Sequence, residues 1–156
     1  MTNSSSPPRS VPSLPIRTYS VEPGPGRLLL LRVYKIDSVE QVAQYFLDVR
    51  TAAQSLGGRV VACVDYRPMR IFNRVVSEEM ARGMADTNAN IERSALISAR
   101  GHAIQSLQSS RLIKSAGLTQ GRQFVDEVEL ILWLNEVLSF AEQSRLRRFL
   151  AEYDSQ

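Results

Sequence analysis

One cysteine, one histidine, one tryptophan and two lysines are all that this 156-residue chain contains of these types. A lone cysteine, Cys63, forbids an intramolecular disulfide and fits a reducing compartment. A lone histidine, His102, removes the usual ingredients of His-based metal sites and of Cys/His nucleophile pairs. His102 follows Gly101 at a helix start and reads as a surface residue. Cys63 has apolar neighbours, and a thiol without nearby positive charge or a helix N-terminus stays inert. Long apolar runs are also missing. "LLLL" (28–31), flanked by Arg27 and Arg32, suits a buried strand and falls far short of the roughly 18 residues of a membrane span. No apolar run near the start could serve as a signal peptide. The expectation is a cytoplasmic chain without a transmembrane segment. The nucleotide motifs GxGxxG and Walker A are absent, as is the hydrolase elbow G-x-S-x-G. "GPGR" (24–27) follows a turn and precedes a strand, which is the wrong context for a phosphate cradle.

The net charge of +3 is mild, and the basic residues, nearly all Arg, are spread along the chain. They do not form a nucleic-acid arm, so no specific nucleic-acid partner is expected. Proline is concentrated: six of seven precede residue 26, which leaves Pro68 alone in the body. "MTNSSSPPRSVPSLP" is Ser/Pro-rich and too poor in large apolar groups to offset ordering entropy. Residues 1–14 therefore read as a disordered tail, and 15–152 as a single domain large enough to bury a core.

Within that domain, "IRTYSV" (16–21), the turn "EPGPG" (22–26) and "RLLLLRVYK" (27–35) predict a β-hairpin. A helix follows. Its capping box is either Asp37 with Glu40 or Ser38 with Gln41, its apolar positions are Val39, Val42, Ala43, Phe46, Val49 and Ala53, and Gly57 and Gly58 stop it. "RVVACVD" (59–65) is a central strand. Asn73 is the expected N-cap of a helix to about residue 88, with Val76, Met80 and Met84 inward. "IERSALIS" (91–98) is a strand, 102–117 a helix closed by Gly117, and "RQFV" (122–125) a short strand. Asp126 and Glu129 suggest another capping box for a final helix to about residue 150, with a break near Ser144. The order β-β-α-β-α-β-α-β-α predicts an α/β fold with a mixed sheet of about five strands.

Candidate chemistry centres on the loop after Asp65, since α/β proteins keep many sites at the carboxyl ends of strands. Arg67, Arg70 and Arg74 bracket Pro68 and the helix start at Asn73. Free backbone N–H groups and guanidinium groups there could hold an anion or an acidic partner surface. The competing reading is that Asp65 pairs with one of these arginines. Glu78, Glu79, Asp126, Glu127 and Glu129 fall in first helical turns, where the helix dipole favours acids without any catalytic duty. In the last helix Leu130, Leu134, Val137, Leu138 and Ala141 form a core stripe, and Ile131, Leu132, Trp133 and Phe140 widen it to most of the circumference. Such a helix is either deeply buried or covered by a partner, so Leu132, Trp133 and Phe140 mark a self-association surface of a homodimer as one alternative. "RLRRF" (145–149) reads as a solvated basic face.

Taken together, "LLLLRVYKIDSVEQVAQYFLDVR", "GRVVACVDYRPMRIF", "IERSALIS" and "GRQFVDEVELILWL" resemble a STAS-like domain. The closest branch is the bacterial family similar to SpoIIAA, the anti-sigma factor antagonist. The carrying positions are Asp65, Phe124, Asp126, Trp133 and Leu134. The resemblance spans about residues 16–142 and implies a small α/β domain with a non-enzymatic role. In antagonist members a serine at the start of the helix after the Asp-ending strand is phosphorylated, which adds about −1.5 to −2 charge at a docking face. Here Asn73 and Arg74 stand at that position, and Ser77 is the nearest serine, about a turn further in. The resemblance therefore implies a docking face of fixed positive charge without the phospho-switch. The glycine often found after the first long strand is also missing, with Tyr34 and Lys35 in its place.

Three functions compete. The first is a regulatory protein-interaction module docking through Asp65, Arg67, Arg70, Asn73, Arg74 and Ser77, with no cofactor, metal or catalytic residue. The second is a small-ligand domain for nucleotide or lipid using the same arginines. The third is an enzyme built on Asp65.

Overall fold

Every residue of Leu28–Val33 and of Val60–Asp65 is buried, as expected of strands covered on both faces. The computed structural model describes residues 18–154. The tail assigned to 1–14 and the first two residues of the expected opening strand lie outside the described residues. The sheet has five strands in chain order: β1 (Tyr19–Pro23), β2 (Leu28–Val33), β3 (Val60–Asp65), β4 (Ile91–Ile97) and β5 (Gly121–Phe124). β1 runs antiparallel to β2, and the other pairings are parallel. This is the mixed α/β sheet the pattern predicts.

Among the described residues there are five α-helices: α1 (Val39–Ser55), α2 (Arg74–Thr87), α3 (Ala103–Ser115), α4 (Glu127–Asn135) and α5 (Phe140–Asp154). Because β2 to β5 follow one another across the sheet, right-handed crossovers carry α1, α2 and α3 to one face. That face is the larger core, in which Leu29, Leu31 and Val64 meet Phe46, Val49, Met80 and Leu112. The opposite face is covered by α4 and α5. There Leu28, Leu30, Cys63 and Ile97 pack on Leu130, Leu134, Leu146 and Phe149.

Local chemistry sets the helix ends. The α1 N-cap is Ser38, whose hydroxyl accepts from the Gln41 N–H at 3.2 Å, so the Ser38/Gln41 register holds and the Asp37/Glu40 register does not. At its C-terminus the Gly57 N–H reaches Gln54 O at 3.1 Å and the Gly58 N–H reaches Ala53 O at 2.8 Å. This Schellman closure needs the positive φ of Gly57. Asn73 caps α2 as expected, accepting from the Val76 N–H at 2.9 Å.

Several expectations are corrected. Val39 and Ala43 are exposed and Tyr45 is buried instead, because α1 turns a slightly different face to the sheet. The last helical region breaks at 136–139, not near Ser144. The cause is a capping box: the Glu142 N–H bonds Ser139 Oγ at 3.3 Å, and the Ser139 N–H bonds Glu142 Oε1 at 2.7 Å. The break also redirects the expected stripe. Leu138 is buried, but Val137 is only partly so and Ala141 is exposed. "RLRRF" is not a wholly solvated face, since Leu146 and Phe149 are fully buried and only Arg147 and Arg148 are exposed.

Candidate functional site

β2 and β3 end together at the carboxyl edge of the sheet, with Arg32 and Asp65 as register partners. Their side chains leave on the α5 face, where Asp65 is 0% exposed. Arg32 Nε donates to Asp65 Oδ2 at 2.7 Å. Arg67 adds three bonds: its backbone N–H and Nε to Oδ1 at 2.9 and 3.0 Å, and Nη2 to Oδ2 at 3.1 Å. Both guanidinium groups then reach the end of α5. Arg32 Nη2 donates to Phe149 O at 2.6 Å and Arg67 Nη2 to Leu150 O at 3.0 Å. Arg32 also stacks over the Phe149 ring and Arg67 over the Tyr153 ring, at 4.1 and 4.4 Å. Arg67 Nη1 pairs with Glu127 Oε2 at 3.2 Å. The acid thus pairs with one of the loop arginines, as the competing reading had it, and with a strand arginine as well. Its buried oxygens accept from guanidinium donors on both sides, which leaves neither facing solvent. The arrangement is a clamp that holds α4 and α5 to the strand ends.

Arg32 entered the sequence reading only as the flank of an apolar run. The signal that could have found it is a charge at an inward position of a buried strand, which demands a buried partner. Nearby Cys63 is fully buried, and desolvation, then the charge of Asp65, push its thiol well above the ordinary range. It is no nucleophile. His102 is exposed at the N-cap of α3.

The other residues expected at the site lie on the far side of the loop. Asp65 and Arg67 belong to the clamp, whereas Arg70, Asn73, Arg74 and Ser77 lie towards α2 and α3. Buried anchors hold the loop between them. Met69 and Phe72 are in the core, and Gln105 Nε2 donates to Tyr66 O and Met69 O at 3.0 and 2.7 Å. Gln108 brackets Phe72, accepting from its N–H at 3.0 Å and donating to its carbonyl at 2.9 Å. This double reading of a backbone by α3 fixes the loop without any ligand. Arg70 is exposed, and among the described residues Arg74 pairs with Glu78, at 3.2 Å on the surface. Asn73 spends its side-chain oxygen on the Val76 N–H, so one of the free helix-start donors is already used.

Arg74 and Ser77 line an open groove of about 520 Å³ between α2 and α3, together with Arg82, Ile104, Leu107 and Arg111. Arg70, Ile71 and His102 line an adjoining hollow, and Ile104 borders both. Ile71, Ile104 and Leu107 are among the most exposed apolar side chains of the described residues. Sequence reasoning missed the α3 half of this surface. The pattern was available: 104, 107, 108, 111, 112 and 115 recur at helical spacing with two bulky apolar residues on the outer edge.

The residues marked for self-association separate. Leu132 is exposed and Trp133 partly buried in one shallow hollow with Phe124 and Arg122. Trp133 packs on Phe124 and lies under the guanidinium groups of Arg93 and Arg122, at 4.5 and 5.4 Å. Phe140 begins α5, 79% exposed, and is not part of that hollow.

Between the sheet and α1 lies an apolar cavity of about 40 Å³, lined by Tyr45, Phe46, Tyr66 and Met84 among others. Ligand pockets run to roughly 300–1,000 Å³, so this space is too small for a nucleotide or lipid. Among the described residues no His/Cys/Asp/Glu group could hold a metal ion, and no helix is long and apolar enough to cross a membrane.

No family model, curated protein or solved structure matches this chain.

Proposed function

We propose that this chain is a non-enzymatic, cytoplasmic regulatory protein-interaction module of the STAS-like, SpoIIAA-like bacterial type, docking through the loop after Arg67 and the start of α2. One observation carries the reading. Exposed Ile71, Ile104 and Leu107 form an apolar surface beside Arg70, Arg74 and Arg111, on a loop already held rigid by Gln105 and Gln108. Exposed apolar surface rimmed by charge is characteristic of contact sites, and a rigid platform loses little entropy on binding. The saturated Asp65 carboxylate weighs against an enzyme built on it. The phospho-switch of the resembled family has no counterpart, because Asn73 caps α2 and Arg74 carries a permanent charge.

The small-ligand alternative has less support, since the apolar cavity beside α1 is about an order of magnitude too small and the arginine groove is open. Homodimerisation is favoured by one observation only, the exposed apolar Leu132 and Phe140 at the opposite face.

The test is recovery of binding partners by the full chain and by an Arg70→Glu/Arg74→Glu variant that retains its melting temperature. The expected outcome is loss of a specific partner from the variant. Unchanged recovery counts against this face.

A further inference from the structure

We infer that the occupant of the α2–α3 groove is an acidic amphipathic helix of a partner protein, about three turns long. The inference rests on the docking reading above and deepens it by naming the chemistry of the partner. Charge comes first. Arg70, Arg74, Arg82 and Arg111 line the groove and its adjoining hollow against one carboxylate, Glu78. Arg74 and Arg82 each have an acidic neighbour on α2, whereas Arg70 and Arg111 have no ion-pair partner among the described residues. Counting Glu79 beside Arg82, four cations face two anions, so the surface keeps a net positive charge, and the two unpaired guanidinium groups of Arg70 and Arg111 are ready to fork onto the carboxylates of an anionic occupant.

Shape comes second. Two side-by-side helices leave a furrow between their ridges that a third helix fills by the same ridge-into-groove packing. The α3 edge of the furrow is apolar and open to solvent: Ile104 is 67% and Leu107 52% exposed. The α3 stripe runs from Ile104 to Ser115, which at about 1.5 Å per residue is roughly 16 Å, or three helical turns. An occupant matched to that length presents apolar side chains at i, i+3 or i+4, and i+7 to Ile104 and Leu107. Its Asp and Glu side chains flank that stripe and meet Arg70 and Arg111 at the two ends. A peptide added as a β-strand would need an open sheet edge, and this groove is walled by helices whose own backbone is already bonded.

The test selects binders to the full chain from a displayed library of random peptides of about 16 residues, long enough for four turns. Recovered sequences are expected to be acidic, with apolar residues at three- and four-residue spacing, and to gain helical circular dichroism on binding. Their affinity by fluorescence anisotropy should fall about tenfold or more with Ile104→Asp and with Arg111→Glu, and should weaken as salt rises. Binders without acidic enrichment or helical spacing, or indifferent to both substitutions, would overturn the inference. So would phosphatidylserine vesicles that bind the chain through the same two residues while no peptide does, since the face would then belong to a lipid surface. If this selection fails but Arg70→Glu/Arg74→Glu still loses its cellular partner, the docking face stands and only the helical occupant is wrong.

Discussion

Asp65 accepts four hydrogen bonds, one from Arg32 and three from Arg67, in a position with no solvent exposure. Removing one member of such a buried network strands the others, which typically costs about 3–5 kcal/mol. Asp65→Ala should therefore lose several kcal/mol in urea denaturation, a large share of the roughly 5–15 kcal/mol that holds a domain together. A loss below about 1 kcal/mol would mean that the clamp is not structural. The strand-end acid was legible in "VVACVD", and so was its pairing with a nearby arginine as one alternative. Its second partner was not, because Arg32 lies 33 residues away in sequence and the pairing depends on strand register. Arg67 illustrates the same limit. It stood in the sequence as one of three equivalent loop arginines, and only the packing of α5 against the strand ends separates it from Arg70 and Arg74.

The elements themselves were more readable than their boundaries. Periodicity located all five strands and the first three helices, since alternation of apolar runs and helical stripes survives without tertiary knowledge. The final region failed at its break, although "SFAE" (139–142) spells the box that restarts the chain as α5. The largely apolar run from Leu130 to Phe140, broken only by Asn135, Glu136 and Ser139, masked it. Glu142 does more than cap. It also accepts from the Arg27 N–H at 2.8 Å, tying α5 to the turn before β2, and it leaves no room for a side chain at Gly26, whose φ is +62°. Burial alone would raise its carboxyl, but the N–H groups of Ser139 and Arg27 outweigh that and hold it below the usual 4.5. A lowered folded value stabilises the fold above the ordinary pKa, and that contribution fades as pH falls through the folded value. The stability gap between the wild-type chain and Glu142→Gln should therefore be largest near neutrality and narrow below about pH 4.5. A gap independent of pH from 7 to about 3 would contradict this assignment.

At the scale of the whole molecule, the order of strands divides the labour. Parallel β2 to β5 send α1, α2 and α3 to one face, and the remaining chain returns as α4 and α5 to close the other. The loop after β3 lies between these layers and is used by both. Arg67 turns towards α5 and closes the fold, while Arg70 and Arg74 turn outward beside α3. The fold class was legible because strand and helix patterns alternate. The surface was only half legible, since α2 and α3 become neighbours through sheet topology and not through sequence. The most direct measurement of the central claim places a photo-crosslinking amino acid at Leu107, and separately at exposed Leu47 on α1, in the full chain within its native cells. The account predicts a discrete crosslinked partner from Leu107 that vanishes with Arg70→Glu/Arg74→Glu, and none from Leu47. A partner captured equally from both positions, or none from Leu107, would contradict it.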